Sequence, residues 1–303
     1  MNARSNAGDE TAHATRDSSL GWTVFRHELT ELWAGGHVLN LLILFSVLMS
    51  ITAYLVATNN EIQLLPLNES VLVALLAAIT FGLFTGLVLA AESISGERER
   101  ATLEALLLTP VSRRQIVWGK FLASLSPWPV TLALSAPYLI VLSKGDPILG
   151  RILLWGAIVG TLLAITFIGL GMLISIWSRS TKVSLSATLL IYVLALLPAQ
   201  LPTEFQNTTA GFILSVVNPV DASRRFLRMT LVENQSPGEL WIYLVVPAVF
   251  IALLLGVLLI YAAPRLGLEP ANPFRFGPGA ARRKPDAQGG GAGAPGNSAG
   301  GNR

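Results

Sequence analysis

Six blocks of predominantly apolar residues, each at least twenty residues long, dominate the sequence. An α-helix needs about 20 such residues to cross a hydrocarbon core of about 30 Å. Charged residues make up only 13% of the chain, about half of the ~25% found in soluble domains. The blocks cover 38–57, 71–91, 116–143, 152–177, 183–202 and 241–263. The sequence therefore predicts an all-α polytopic membrane protein, with six transmembrane helices in a domain over 37–264.

A polar segment precedes the first block. Residues 1–20 contain few apolar side chains and are predicted to be disordered. Over 21–36 the apolar side chains follow a helical spacing, with most polar ones opposite; the apolar set is Trp22, Phe25, Leu29, Leu32 and Trp33, and the polar set is Arg26, His27, Glu28 and Glu31. This pattern predicts an amphipathic helix in the membrane interface. A short solvated helix is the alternative.

The third block is interrupted by Pro127, Pro129 and Pro137. Each proline removes a backbone donor, so this span is expected to be kinked. Ser124 and Ser126 lie where their hydroxyls can satisfy the freed carbonyls.

The distribution of positive charge predicts the orientation in the membrane. With the N-terminus in the cytoplasm, sixteen Lys and Arg residues lie on the inner side and five on the outer side. Positive residues concentrate in cytoplasmic loops. Both termini are therefore predicted to lie in the cytoplasm, at the inner (cell) membrane. The Gly- and Pro-rich residues 265–303 are predicted to form a flexible cytoplasmic tail.

The outer segment between the fifth and sixth spans, 203–240, contains the apolar run AGFILSVV at 210–217. This run is too short to cross a membrane. Either a re-entrant hairpin or an ordinary small outer cap is compatible with it.

The sequence excludes several kinds of chemistry. The spans contain almost no ionisable residues, which disfavours a secondary carrier that uses buried carboxylates. There is no cysteine and no HExxH motif, and Gly119-Lys120 lacks the remaining residues of a phosphate-binding loop. We therefore expect no metal site, no bound cofactor and no nucleic-acid partner, and any energy for transport must come from another chain.

Two GxxxG motifs lie in the second and fourth spans, at Gly82 and Gly86 and at Gly156 and Gly160. Small residues at this spacing allow helices to approach closely. We expect these glycines to serve helix packing.

The loop between the second and third spans carries the densest charge, in SISGERERATLEALLLTPVSRRQIVWGKF. Pairs Glu97–Arg100 and Arg100–Glu104 have helical spacing, so a short helix is predicted from Glu97 to Leu108. Leu103, Leu106 and Leu107 line one side of it. A positive-inside anchor explains the arginines alone, whereas a cytoplasmic docking helix also explains the acidic residues and the leucine face.

The stretch ERERATLEALLLTPVSRRQIVWGKFLA resembles the cytoplasmic loop of type-2 ATP-binding-cassette (ABC) transporter permeases. The matching positions are Glu97, Arg98, Thr102, Leu103, Glu104, Leu106, Leu107, Pro110, Val111, Ser112, Arg113, Gly119 and Lys120. Ala101 stands where that family usually has glycine, a departure expected to stiffen the loop. The general plan is similar over roughly residues 20–265.

This resemblance implies a non-catalytic permease subunit, most simply of an exporter. Two permease chains, identical or paralogous, would assemble with two separate ATPase subunits that bind ATP and Mg²⁺. The loop would act as a coupling helix; its expected contact residues are Glu97, Arg98, Glu99, Arg100, Thr102, Leu103, Glu104, Leu107, Pro110, Arg113 and Arg114. A non-transporting membrane scaffold that recruits an ATPase is the alternative from another class. A secondary carrier is the less favoured third.

Overall fold

The computed structural model describes residues 22–102, 111–200, 208 and 217–262, and the elements in these ranges are helical, with no strand among them. Contacts divide the chain after Gly267, and all described residues belong to the first unit. The predictions for 1–20, for the tail 265–303 and for the run 210–216 lie outside the described residues. The same is true of Leu103, Glu104, Leu106, Leu107 and Pro110 in the charged loop.

Eleven α-helices occur in the described residues. They are α1 (22–34), α2 (His37–Thr58), α3 (Asn60–Gln63), α4 (Leu67–Glu92), α5 (Ser95–Glu99), α6 (Arg113–Leu125), α7 (Pro127–Leu142), α8 (Ile148–Trp177), α9 (Thr181–Leu196), α10 (Pro219–Leu231) and α11 (Trp241–Gly256). A 3₁₀ turn, Leu197–Gln200, follows α9, and a π-helical turn, Val257–Ala262, follows α11.

Five helical segments are long and apolar enough to cross a membrane. They are His37–Thr58, Leu67–Glu99, Arg113–Leu142, Ile148–Trp177 and Trp241–Ile260. Five of the six predicted spans are thus confirmed by length and composition. At the remaining one, the fifth predicted span over 183–202, the structure has only the shorter apolar helix α9, of 16 residues.

Helices α4 and α8 form the centre of the fold. In the most apolar window of each, 61% of the residues are buried, whereas the corresponding share is 11% for the span that begins at Trp241. These two helices pack closely against their neighbours. At glycines of α4 and α8, which have no side chain, a side chain from another helix lies directly against the backbone. A Cβ added at Gly160 would lie 2.6 Å from Cζ2 of Trp128, and one at Gly82 would lie 2.8 Å from Cζ3 of the same ring.

The other two glycines of the GxxxG motifs have similar surroundings. Gly156 faces Leu75, and Gly86 faces Ile168, each with 2.7 Å or less between the missing Cβ position and the neighbouring side chain. All four glycines therefore lie at contacts between helices of this one chain.

The third span is interrupted between α6 and α7, as the prolines predict. Pro127 cannot donate to the carbonyl of Ala123, and the Ser126 hydroxyl donates to that carbonyl instead, at 2.7 Å. The prediction for Ser124 is wrong, because its buried hydroxyl has no hydrogen-bond partner among the described residues.

Helix α10 runs between the end of α9 and the start of α4. At its first turn the Asn218 side chain donates to the carbonyl of Ala195, at 2.7 Å. Near its last turn Arg228 lies 3.9 Å from Glu69. Ala222 and Phe226 of α10 are fully buried. The Phe226 ring packs edge-on against Trp155, with 5.0 Å between the ring centroids.

Candidate functional site

Helix α5, in the charged loop, is held at its N-terminus by α8. The hydroxyl of Ser175, near the end of α8, accepts hydrogen bonds from the backbone N–H groups of Ile94 and Ser95, at 3.1 and 2.9 Å. Free N–H groups at a helix start need such acceptors. The Ser95 hydroxyl in turn donates to the carbonyl of Ala91, at 2.8 Å. The start of α5 is therefore fixed to both central helices.

The C-terminal half of α5 also contacts the end of α8. The guanidinium of Arg98 donates to the carbonyls of Ser178 and Ile176, at 2.6 and 3.0 Å. These carbonyls lie at the C-terminus of α8, where the backbone leaves acceptors without intrahelical partners and where positive charge is favoured. Arg98 therefore caps α8, a role that the sequence did not reveal.

Helix α5 also caps the start of α9. The carboxylate of Glu99 accepts a hydrogen bond from the backbone N–H of Thr181, at 3.0 Å. The N-cap residue of α9, Ser180, makes no side-chain hydrogen bond of this kind. The Ser184 hydroxyl extends the contact by donating to Ala91, at 2.7 Å. We call α5, the end of α8 at Ser175–Ser178 and the start of α9 at Thr181 the α5 junction.

The continuous helix predicted from Glu97 to Leu108 is wrong in its described part. Helix α5 ends at Glu99, and Ala101 has a positive φ of 59°. A left-handed residue cannot continue a right-handed helix. The predicted pairing of Glu97 with Arg100 also differs, since the ion pair of Glu97 in the described residues joins it to Lys120.

Lys120, on α6, lies at the centre of a buried charge cluster. Its ammonium group is 2.8 Å from Glu28 of α1 and 2.5 Å from Glu97 of α5. The Lys120 side chain is only 2% exposed, and those of Glu28 and Glu97 are 11% and 22% exposed. We call these three residues the Lys120 cluster. It joins α1, α5 and α6.

Helix α1 is held against α6 by more than this cluster. A Cβ added at Gly119 would lie 3.0 Å from Cγ1 of Val24, so α1 and α6 approach closely there. The indole of Trp33 donates to the Ser126 hydroxyl, at 3.1 Å. The helical spacing places Glu28 on the polar side of α1. In the structure Glu28 faces α6 and is among the most buried residues of this helix. The spacing of polar residues did not reveal that contact.

The start of α6 is stabilised by a capping box. The Ser112 hydroxyl accepts from the N–H of Gln115, and the Gln115 side chain accepts from the N–H of Ser112. The pattern Ser-x-x-Gln is visible in the sequence and could have located this helix start. Arg113 and Arg114 follow directly and are exposed.

A cavity of about 250 Å³ lies between α1, α4, α5 and α6, beside the Lys120 cluster. Its lining includes four glutamates, Glu28, Glu31, Glu92 and Glu97, against the cations Lys120 and Arg100. The lining of this cavity therefore contains more acidic than basic side chains.

The structure brings only part of the predicted contact set together. Glu99 is exposed at the end of α5, and Arg100 and Thr102 follow it. Arg113 and Arg114 begin α6. Glu97 and Arg98 are instead half-buried and engaged with other helices of the chain. In the described residues no group of three or more His, Cys, Asp or Glu side chains has the geometry of a metal site.

Comparison with known protein families gives a match over most of the chain. A family model described as "ABC-2 family transporter protein" matches residues 22–264. No curated protein matches the chain significantly. The matched range begins with α1 and includes every described helix.

Proposed function

Because the chain belongs to the ABC-2 family of transporter proteins, we propose that it is the membrane-spanning permease subunit of an ABC transporter in which a separate ATPase subunit docks at the α5 junction. ATP and Mg²⁺ would bind in that ATPase subunit. The permease itself would perform no catalysis.

The observation that carries this proposal is the set of caps around α5. A docking element can transmit force only if it is stiffly joined to the helices that move. Ser175, Arg98 and Glu99 join this five-residue helix to the end of α8 and the start of α9. A partner that displaces α5 would therefore displace both helix ends.

The proposed docking surface has two charged parts. Arg113 and Arg114 are exposed at the start of α6, and Glu99 and Arg100 are exposed at the end of α5. Charges of both signs on an exposed rim favour a specific orientation of the partner more than raw affinity. The surface drives transport only if the partner binds it differently in two states of the transporter.

The proposed topology has six spans and cytoplasmic termini. Helix α9 and the following turn, Thr181–Gln200, supply the fifth of these spans in chain order, which starts at the α5 junction on the cytoplasmic side. Helix α1 would lie in the inner interface, with Trp22 exposed by 65% toward lipid.

Two such chains would form the complete pathway, and export is the proposed direction. In α2 and in the span that begins at Trp241, only 22% and 11% of the residues in the most apolar window are buried. This exposure supports the proposal that a second chain or lipid lies beside them. Their remaining apolar surface needs a non-aqueous neighbour.

The test uses the ATPase that copurifies with this chain from native membranes. In proteoliposomes, the double variant Arg100→Glu/Arg114→Glu should reduce permease-stimulated ATP hydrolysis at least tenfold, because the charges presented to the partner are reversed. The matched control is Lys144→Glu, which reverses an exposed charge in the loop between α7 and α8. Full stimulation in the double variant would contradict docking at this surface.

The same preparation separates a transporter from a scaffold. A scaffold would retain the ATPase on the membrane but leave its activity independent of the permease. Equal ATP hydrolysis with and without the permease, despite copurification, would therefore contradict the proposed function itself.

A further inference from the structure

A second cavity lies between α4, α8, α10 and the end of α9, far from the α5 junction along the bundle. Its volume is about 240 Å³. The walls are largely apolar and include Leu76, Leu83, Leu163 and Leu227. The lining also has polar side chains, those of Thr80, Gln200, Ser223 and Arg224. The cavity is therefore amphipathic.

The depth of this cavity follows from its position along α4. The second predicted span begins at Val71, and the lining residues of α4 extend from Leu76 to Leu83. At about 1.5 Å per residue, these residues lie about 8–18 Å from that end of the span. The hydrocarbon core is about 30 Å thick. The part of the cavity lined by α4 therefore lies at membrane depth and extends from the half nearer the predicted outer surface to about the middle of the span.

Helix α10 lines the cavity through one of its faces. Val220, Ser223, Arg224 and Leu227 have the i, i+3, i+4, i+7 spacing of a single helix face, and all four line the cavity. The Arg224 side chain lines the cavity and is exposed at the same time. An arginine beside the apolar core of a membrane needs an aqueous or anionic partner. Arg224 is not held by a hydrogen bond or ion pair to any side chain in the described residues, although the Asp221 carboxyl one turn earlier interacts with it electrostatically.

Ser223 provides an independent indication of a ligand. Its side chain is 1% exposed, and its hydroxyl has no hydrogen-bond partner among the described residues. Leaving a buried hydroxyl without a partner costs free energy, so such groups usually have one. The neighbouring polar group Thr80 is satisfied, since its hydroxyl donates to Leu76 at 2.8 Å and its carbonyl accepts from Tyr192 at 2.7 Å.

We propose that this cavity binds an anionic amphiphile, with its headgroup at Arg224 and Ser223 and an apolar chain among the leucines of α4 and α8. The volume is below the ~300–1,000 Å³ of sites that enclose a drug-sized ligand, so a single chain fits and a two-chain lipid does not fit as a whole. The inference goes beyond the proposed function, because binding does not require transport or the ATPase.

The binding test uses the purified full chain in phosphatidylcholine nanodiscs. The probe is a single-chain alkyl phosphate that carries a diazirine, and the comparison probe is the alkyltrimethylammonium of equal chain length. We expect saturable photolabelling by the anionic probe, with adducts on α4 and α10 by mass spectrometry. Equal labelling of these helices by the cationic probe would overturn the assignment.

Two variants test the headgroup contacts. Arg224→Gln should weaken binding of the alkyl phosphate about tenfold, through loss of a charge-assisted hydrogen bond. Ser223→Ala should weaken it about fivefold and leave the fold intact, because no described residue loses a hydrogen bond. The matched control is Arg228→Gln, which removes an equal charge one turn further along α10 and should leave affinity unchanged. Unchanged affinity in both Arg224→Gln and Ser223→Ala would refute the site.

The source of the amphiphile is distinguished by changing the bilayer. If the natural ligand is a membrane phospholipid that inserts one chain, phosphatidylglycerol in the nanodisc should compete and lower the apparent affinity of the probe. If the ligand is a free single-chain amphiphile, phosphatidylglycerol should not compete. Either result supports the proposed headgroup chemistry, because the probe binds against a background of phosphatidylcholine in both cases.

Discussion

Lys120 is buried in a position where it contacts two carboxylates from segments far apart in the chain. Glu28 is 92 residues before it, and Glu97 is 23 residues before it. Taking charges out of water is costly, and the remaining partners are left uncompensated when one is removed. The sequence placed Lys120 among the cytoplasmic positive charges, but the spacing of residues contains no information about which distant acids it meets.

We expect Lys120→Met to destabilise the protein by about 3–5 kcal/mol, because the buried Glu28 and the half-buried Glu97 lose their counterion. Thermal unfolding of the purified chain in detergent measures this change. Adding Glu28→Gln to Lys120→Met should recover part of the loss, since one of the unpaired charges is then removed.

The control for this substitution is Lys144→Met, at an exposed position. Surface substitutions usually change stability by less than about 0.5 kcal/mol. Similar melting temperatures for Lys120→Met and Lys144→Met would show that the Lys120 cluster contributes nothing to stability.

At Ala101 one expectation from the sequence agrees with the structure and another does not. The resemblance identified this position as one where glycine is usual, and the structure has a positive φ of 59° there. Glycine adopts that conformation readily, whereas other residues pay roughly 1–2 kcal/mol for it. Charge spacing alone favoured an unbroken helix through the same residue, because i,i+4 pairs report side-chain geometry and not backbone handedness.

Among the elements, one glycine of each GxxxG motif is explained by Trp128 of α7. The indole of this residue lies between Gly82 of α4 and Gly160 of α8, and its N–H donates to the Thr161 hydroxyl at 3.0 Å. The sequence predicted close packing at these glycines. It did not identify the side chain that occupies the space, because that side chain comes from a third helix.

Gly160→Ala should destabilise the protein by about 1–3 kcal/mol, because the new methyl group would overlap the ring of Trp128. Gly150→Ala, on the same helix α8, is the matched control, since a Cβ there meets nothing within 4 Å. That control should be neutral or stabilising by up to ~1 kcal/mol, as expected for alanine in place of glycine in a helix. Equal unfolding midpoints for the two variants would contradict the packing argument.

Helix α9 illustrates the limit of predicting spans from apolar length. The block 183–202 has enough apolar residues, but α9 ends at Leu196. Pro198 cannot donate a hydrogen bond to the preceding turn, and the chain tightens into a 3₁₀ turn. Hydropathy counts residues regardless of whether their backbone can continue a helix, so it overestimated this element.

At the scale of the whole molecule, the long apolar blocks determined the fold class and five spans. The spans follow from local length and composition, which the sequence displays directly. The α5 junction does not, because the contacts of Arg98 and Ser175 join positions 78–81 residues apart. The motif therefore identified a candidate site, while the contacts of each residue within the chain required the fold.

The predicted orientation of the whole molecule can be tested with single cysteines, because the chain contains none. Arg100→Cys lies beside the α5 junction, and Glu239→Cys lies just before α11; both positions are exposed. In intact cells, an impermeant thiol reagent should label Glu239→Cys and leave Arg100→Cys unlabelled until the membrane is permeabilised. The reverse labelling pattern would overturn the positive-inside assignment.

The Lys120 cluster also sets an order of events during synthesis. Glu28 precedes Lys120 by 92 residues, so at about 5–20 residues per second Lys120 is made roughly 5–20 s after Glu28. During that interval α1 has no counterion on α6, and the first two spans reach the membrane without it. Docking of α1 through this cluster therefore cannot precede synthesis of the third span, and a nascent chain cut short before Lys120 leaves Glu28 without this counterion.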